Sequence, residues 1–177
     1  MADDPANLVI PPEIPDVALD GGLRLRGIRP DDESRLVALH DRLSQHTAYQ
    51  RFFTVMKRLP TNWAHFLANV DYQTRLALVI ERTDADEIVA VGRYEPTNDP
   101  TVAEVAFVVQ DGWQGKGLGR VLLRELLAAA DARGIRRFRA YVLAGNYRML
   151  RLLSRYTRLL ERRTDSGVAD VLFTRQG

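Results

Sequence analysis

The pattern of hydrophobic and polar positions changes its period several times along the chain. Leucines alternate with arginines over residues 23–27, which predicts a half-buried strand. Apolar residues over 36–43 recur at helical spacing directly after Asp31 and Asp32, and either aspartate suits the helix N-cap. A second, short helix is predicted after Pro60. This helix is expected to place three apolar residues in the core: Trp63, Phe66 and Leu67.

Three apolar segments rich in β-branched residues occupy the middle of the chain, at 75–82, 87–95 and 101–110. Turn-forming residues separate them, so we expect three strands joined by two hairpins. A long helix follows from about Leu118 to Arg133, with Gly134 as its C-cap. A strand, a helix and a final strand pair then complete the chain at 136–143, 146–156, 157–163 and 168–174. This order predicts an α+β domain with a mostly antiparallel sheet.

One domain is expected from a chain of 177 residues that is 46% hydrophobic. No repeat, low-complexity tract or linker divides it. Residues 1–22 are predicted to form a proline-rich N-terminal segment, because proline favours extended backbone and lacks an N–H donor. Residues 23–177 are predicted to form the single domain.

Composition and charge exclude several classes of protein. The chain has no cysteine, which rules out disulfides, thiolate metal sites and a cysteine nucleophile. Its acidic, proline-broken start does not match a signal peptide, and no apolar run approaches the roughly 20 residues of a membrane span. We therefore expect a cytoplasmic protein with no membrane partner. The three histidines lack metal-ligand spacing with carboxylates, so no metal is predicted.

Three glycines crowd the segment QGKGLG at 114–119, between an apolar strand and the long helix. A glycine-rich turn at a helix N-terminus lets backbone N–H groups converge on a phosphate. The spacing fits neither the P-loop nor the dinucleotide fingerprint, because the glycines follow the order G-x-G-x-G. What remains is Gln114, then Gly117 after two residues, then Gly119 after one more.

This motif resembles the acyl-CoA pyrophosphate loop of the GNAT superfamily of N-acyltransferases. The resemblance extends from about Leu23 to Thr174. It implies the GNAT fold, a mixed and mostly antiparallel twisted sheet of about seven strands with about four helices, splayed between central strands 4 and 5. It also implies acetyl-CoA as the acyl donor. The positions that match the family's cofactor-binding residues are Phe107, Val108, Val109, Gln114, Gly115, Lys116, Gly117, Leu118, Gly119, Arg120, Asn146 and Met149.

Four segments are similar to the Pat-like branch of bacterial protein lysine acetyltransferases. They are LRGIRPDD, LSQHTAYQRFF, AEVAFVVQDGWQGKGLG and NYRMLRLL. The Gly-Phe pair that usually follows the last segment is Thr157-Arg158 here, and there is no room for the nucleotide-sensing domain that some relatives carry. We therefore expect no regulation by such a domain within the same chain.

Acetyl transfer from a thioester to an amine needs a base for the amine proton and hydrogen-bond donors for the developing oxyanion. Glu104, in an otherwise apolar strand, matches the general base of the Pat-like branch; the alternative is a strand-edge glutamate that faces water. A backbone N–H near Val109 matches the family's oxyanion donor. Leu153 occupies the position where many relatives have a tyrosine as general acid, so that acid is absent or lies elsewhere. Tyr147 and Tyr156 are the available substitutes, but an ordinary core or surface tyrosine is the preferred interpretation of each.

Arginine supplies nearly all the positive charge, since Lys57 and Lys116 are the only lysines. Arg120 and Arg124 lie one turn apart in the long helix, where they face either cofactor phosphates or solvent. Further arginines give the later segment a basic face: Arg148, Arg151, Arg155, Arg158, Arg162 and Arg163. Because aromatic residues are thinly interleaved and the net charge is only +2, we do not predict a nucleic-acid partner.

The acceptor is expected to bind near Tyr49, Arg51, Phe52 and Phe53, because the family binds substrate between its first two helices; the alternative is that these residues form a packed loop. The Pat-like resemblance implies a protein lysine as the acceptor. A small amine, such as a polyamine, amino sugar or amino acid, is the alternative. A non-catalytic acyl-CoA-binding or interaction module is a third interpretation, which the missing tyrosine favours. Either a monomer or a homodimer is compatible with the sequence.

Overall fold

A computed structural model describes residues 10–177. Within this range eight strands and five helices follow one another, against about seven and four predicted. They are β1 (Val17–Leu19), β2 (Leu23–Gly27), α1 (Glu33–Arg42), α2 (Gln45–Phe52), α3 (Thr61–Ala68), β3 (Leu76–Arg82), β4 (Ile88–Pro96), β5 (Val102–Val109), α4 (Leu118–Asp131), β6 (Arg137–Leu143), α5 (Tyr147–Tyr156), β7 (Thr157–Asp165) and β8 (Val168–Arg175).

The strands form one sheet in the order β1-β2-β3-β4-β5-β6-β8-β7. All neighbours are antiparallel except β5 and β6, which run parallel. Pairing between these two strands ends at Glu104 and Arg139, after which they separate. The predicted mixed, mostly antiparallel and centrally splayed sheet is therefore confirmed. Because β1 adds a strand at the front, the splay lies between the fifth and sixth strands rather than the fourth and fifth.

The first hairpin begins inside the segment that we expected to precede the domain. Strand β1 pairs with β2, and Ile14 is buried in the main core. Gly21 and Gly22 form the turn between the strands with positive φ angles of 80° and 72°. The expected boundary between residues 22 and 23 thus lies within this hairpin. Part of the proline-rich segment, residues 1–9, lies outside the described residues.

Helix α4 covers one face of the sheet with a leucine-rich side. Its buried residues include Leu122, Leu123, Leu126 and Leu127. On β4, a Cβ at Gly92 would lie 2.9 Å from the Phe107 ring. Glycine at this position therefore lets the ring fit between the sheet and α4, directly beside the splay. Among the described helices, none has both the length and the apolarity needed to cross a membrane.

Helix α3 differs from its prediction. Trp63 is 41% exposed and Phe66 is 55% exposed, so their placement in the core was wrong. The short helix instead buries Ala64 and Ala68, whose small side chains allow close packing. The Phe66 ring lies 3.7 Å from the Arg75 guanidinium, a cation–π contact that holds it at the surface. Leu67 is partly buried and packs against the core.

Candidate active site

The separation of β5 from β6 opens a cleft of about 920 Å³. Its walls come from α2, the end of β5, the 114–119 loop, the first turn of α4, and α5. Ligands commonly bind in concave sites of this size. The cleft is therefore the candidate site.

The glycine loop shapes one end of the cleft. Gly115 and Gly117 have φ angles of 75° and 83°, the left-handed region that favours glycine. Gly117 is the N-cap of α4, and no side chain in residues 10–177 caps this helix. The first-turn N–H groups of α4 thus remain available to an anion. A Cβ at Gly119 would lie 3.4 Å from Leu152, so this glycine lets α5 pack beside the loop.

The free edge of β5 forms the floor of the cleft. The Gln110 N–H donates to the Val89 carbonyl on β4 at 2.8 Å. Because backbone groups alternate sides along a strand, the Val109 N–H is directed away from β4, into the gap left by β6. The Val109 carbonyl accepts a hydrogen bond from Gln114 Nε2 at 2.9 Å. This arrangement leaves a backbone donor at the end of β5, as an oxyanion site requires.

Helix α2 is tied to the loop by a polar cluster that the sequence pattern did not predict. Asp111 accepts hydrogen bonds from the Ser44 N–H, the Ser44 hydroxyl and the Thr47 hydroxyl at 3.0, 2.7 and 2.8 Å. Gln114 Nε2 also contacts Thr47 Oγ1 at 3.3 Å. Burial works to raise the pKa of Asp111, but these hydrogen bonds outweigh it and lower the pKa. The cluster fixes α2 against the cofactor side of the cleft.

Glu104 lies on β5 outside the residues that line the cleft. It is half-buried, opposite Glu95 of β4 and Arg139 of β6. Burial raises the pKa of the Glu104 carboxyl; Arg51 opposes the rise, Glu95 adds to it and Arg139 opposes it. Five residues of extended strand separate Glu104 from Val109, which is about 16 Å along the backbone. The carboxyl is therefore poised to accept a proton, but at a distance from the Val109 N–H.

One of the four predicted acceptor-side residues lines the cleft. Arg51 lines the cleft, and its guanidinium lies 4.7 Å from the Phe52 ring. Burial, together with the nearby Arg93, lowers the pKa of Arg51 to about 10 against the opposing effects of Glu104 and Glu95. The other three residues lie outside the cleft lining: Tyr49, Phe52 and Phe53.

Helix α5 supplies the wall beside the loop. Its N-cap Asn146 accepts the Met149 N–H through its side chain at 3.2 Å, and both residues line the cleft. Leu153, at the family's tyrosine position, is buried. Tyr156 does line the cleft. Three arginines of the predicted basic face are exposed and line the cleft: Arg148, Arg151 and Arg155. Their i, i+3, i+7 spacing places them on one face of the helix and was the available signal.

Of the predicted cofactor-binding residues, all but one line the cleft. Those that line it are Phe107, Val108, Val109, Gln114, Gly115, Gly117, Leu118, Gly119, Arg120, Asn146 and Met149. Lys116 is absent from the lining, and its Nζ lies 5.9 Å from the Trp113 ring. No group of three or more potential metal-ligating side chains occurs in the described part of the chain.

Comparison with known proteins agrees with this geometry. Residues 42–156 match the model of the acetyltransferase (GNAT) family. The acetyltransferase Pat of Mycolicibacterium smegmatis is 34% identical over 133 residues, which are 74% of this chain and 39% of that protein. The chain thus spans about two fifths of the length of this relative.

Two solved structures are similar in fold. The GNAT domain of S. lividans PAT has 34% identity and a TM-score of 0.83, covering 94% of this chain and 99% of that one. The yncA protein of Salmonella typhimurium, solved with its cofactor acetyl-CoA, has 17% identity and a TM-score of 0.68. The similarity covers 88% of this chain and 94% of the yncA chain. At this identity it shows a similar fold and nothing more.

Proposed function

Because the chain belongs to the acetyltransferase (GNAT) family, we propose that it transfers the acetyl group of acetyl-CoA to the ε-amine of a protein lysine. Its similarity to Pat proteins confirms the predicted Pat-like resemblance and favours a protein acceptor. The observation that carries the proposal is the cleft at the β5–β6 gap. There a glycine loop, an uncapped helix N-terminus and the free edge of a strand converge.

The cleft fits the parts of acetyl-CoA. The uncapped N–H groups at the start of α4 suit the pyrophosphate, since anions bind at helix N-termini. The free edge of β5 offers backbone donors and acceptors to the amide groups of the pantetheine arm. The likeness in fold to yncA, which was solved with acetyl-CoA, supports this assignment. The bound thioester supplies an activated acyl group.

We assign the oxyanion donor to the backbone N–H of Val109. Negative charge develops on the thioester oxygen as the amine attacks its carbonyl carbon, and a fixed backbone dipole stabilises that charge. This donor needs no side-chain reorganisation, because the Gln114 side chain holds the Val109 carbonyl in place. Leu153 offers no proton to the departing thiolate. An alkyl thiol has a pKa of about 8.5, so the thiolate can leave and take its proton from water.

We assign the general base to Glu104. A lysine ammonium with a pKa of about 10.4 costs roughly 4–5 kcal/mol to deprotonate at pH 7. A carboxyl whose pKa is raised by burial is a better acceptor for this proton than an ordinary glutamate. Because about 16 Å of strand separates Glu104 from Val109, the proton would travel through ordered water between the amine and the carboxylate.

The test measures thiol release from acetyl-CoA by the purified protein with two acceptor pools. One pool holds small amines, and the other holds deacetylated lysate proteins that are analysed by acetyl-lysine mass spectrometry. We expect release with the protein pool, a fall of about 10²–10⁴-fold in Glu104→Gln, and unchanged acetyl-CoA affinity in that variant. Glu161→Gln is the control, because Glu161 is exposed on β7.

Each result has a distinct meaning. Release with the small amines alone would replace the protein acceptor by a small-molecule amine. Tight acetyl-CoA binding without release in either pool would identify a non-catalytic acyl-CoA-binding module. A Glu104→Gln variant that turns over at the normal rate would remove Glu104 as the base while leaving the transferase assignment intact.

A further inference from the structure

The cleft carries a strong excess of positive charge. Five arginines line it, and Asp111 is its only carboxylate. That carboxylate already accepts three hydrogen bonds from Ser44 and Thr47. Within residues 10–177, no carboxylate lies within ion-pairing distance of any of these five guanidiniums. The five are Arg51, Arg120, Arg148, Arg151 and Arg155.

The arginines of α5 lie next to the glycine loop. Leu152 contacts Gly119, since a Cβ on that glycine would be 3.4 Å from the leucine methyl. Arg148 and Arg155 flank Leu152 at one helical turn on either side, and Arg151 adjoins it. Arg148 Nη1 donates to Gln114 Oε1 at 2.8 Å, which bridges the helix and the loop. Arg151 and Arg155 lie further along the same face, beyond the loop.

Tyr156 holds two of these cations together. The Arg120 guanidinium, from the first turn of α4, lies 4.5 Å from the centre of the Tyr156 ring. The Arg155 guanidinium lies 5.5 Å from the centre of the same ring. A cation–π contact orients a guanidinium without neutralising it. Two like charges fixed on one ring repel each other, and a bound anion would remove that repulsion.

We propose that Arg120 and Arg155, which both contact the Tyr156 ring, bind the ribose 3′-phosphate of the acyl-CoA donor together with Arg151, which lines the same cleft. The inference rests on the proposed function, because it assigns the pyrophosphate to the N–H groups of the loop. The second phosphate of CoA then needs its own site beside that loop. A phosphomonoester carries about −1.5 to −2 charges at neutral pH, and guanidinium forks match its oxygens with paired hydrogen bonds.

This assignment predicts selectivity between two forms of the donor. The chain should bind CoA more tightly than 3′-dephospho-CoA, which shares the pyrophosphate, pantetheine and thiol but lacks the phosphomonoester. Charge-assisted hydrogen bonds of this kind correspond to at least about a tenfold difference in Kd. Because the 3′-phosphate is remote from the thioester, the difference should appear in KM for the donor and leave kcat unchanged.

The experiment is isothermal titration calorimetry of the full chain with CoA, 3′-dephospho-CoA and inorganic phosphate. We expect the wild type to prefer CoA at least about tenfold and the double variant Arg151→Gln/Arg155→Gln to bind both forms of CoA equally. Arg162→Gln is the matched control, because Arg162 is an exposed arginine on β7 outside the cleft lining. Arg155→Lys should retain part of the preference, since it keeps the charge but not the fork.

The outcomes distinguish a failure of the 3′-phosphate assignment from a failure of the proposed acetyltransferase function. If neither form of CoA binds the wild type, the proposed function fails. If both bind equally well, or if the double variant weakens both by the same factor, the 3′-phosphate assignment is overturned and the transferase remains. Tight binding of inorganic phosphate without CoA selectivity would identify a general anion site instead.

Discussion

Two groups of arginines in this molecule have opposite surroundings. Arg26 is only 3% exposed, and its guanidinium donates to Asp32 at 2.8 and 2.9 Å and to Glu81 at 2.9 Å. Arg93 is equally buried and pairs with Glu95 at 2.7 Å. The arginines of the cleft have no carboxylate partner among the described residues. The same side chain is therefore neutralised in one region and left charged in the other.

The difference separates a structural role from a binding role. A buried arginine that is ion-paired with carboxylates has little net charge to offer a ligand. Removing one member of such a pair leaves the other as an unpaired charge in a poorly hydrated site. An arginine without a carboxylate keeps its charge and repels its neighbours, which is useful only if an anion arrives. Unpaired arginines that converge on one cleft, rather than unpaired arginines alone, thus indicate which region binds a ligand.

Replacing one of the buried, ion-paired arginines should have the largest effect, which is on the stability of the fold. Replacing Arg26 by Met leaves Asp32 buried without its main partner, and we expect the free energy of unfolding to fall by about 3–5 kcal/mol. Urea denaturation followed by circular dichroism measures this change. The control is Arg24→Met on the same strand, because Arg24 is 48% exposed and its pair with Asp16 should contribute about 1 kcal/mol or less. Equal losses in both variants would remove the distinction between the two classes of ion pair.

A substitution in the glycine loop tests whether the cleft arginines can bind acetyl-CoA without the loop N–H groups. In Gly117→Ala a residue with a Cβ must adopt a φ of 83°, which costs about 1–2 kcal/mol and favours another loop conformation. We expect acetyl-CoA affinity to fall at least about tenfold in calorimetry. Gly112→Ala is the control, since Gly112 does not have a positive φ and a Cβ there would meet no atom within 4 Å. Unchanged affinity in Gly117→Ala would show that the arginines hold the cofactor by themselves.

The fold could be predicted from the sequence because its signals are local and periodic. A separate local pattern specifies each of these elements: alternation over 23–27 for β2, three apolar runs for β3 to β5, and a leucine-rich face for α4. The glycine spacing located the cleft for the same reason, because a left-handed φ favours glycine and can therefore be recognised in the sequence. Strand β1 was not predicted, because three residues between Pro15 and the turn at Gly21 carry almost no period.

The connections between elements could not be predicted in the same way. Asp111 binds Ser44 and Thr47, which are more than 60 positions away, and no local pattern marks such a contact. Trp63 and Phe66 have the apolar character of core residues but lie on the outer side of a short helix. The arginines of α5 were visible as a basic face. Their place at the cleft depends on how α5 packs beside the loop, with Leu152 next to Gly119 and Arg148 bonded to Gln114.

Arg51 is the intermediate case, and its effect should appear in the pH profile. It lines the cleft without an ion pair, yet its charge opposes the raised pKa of Glu104. In the wild type, kcat/KM should fall as the pH drops through the raised pKa of Glu104, because the base becomes protonated.

Removing the cation in Arg51→Gln favours the neutral carboxyl, so the acidic limb of the profile should move to higher pH. Two other charged groups, Glu95 of β4 and Arg139 of β6, remain beside Glu104 in this variant. An unmoved limb, or one displaced to lower pH, would show that Arg51 does not act on the base.

The smallest expected effect is on the stability of the unliganded protein when one cleft arginine is replaced. Arg151→Gln breaks no ion pair and removes one of several mutually repelling charges, so the free energy of unfolding should change by less than about 0.5 kcal/mol. The change should be an increase at low salt that disappears at high salt, because screening weakens the repulsion. Urea denaturation at two ionic strengths measures it. A loss comparable to that of Arg26→Met would mean that Arg151 has a structural partner, and the contrast between the two groups of arginines would then fail.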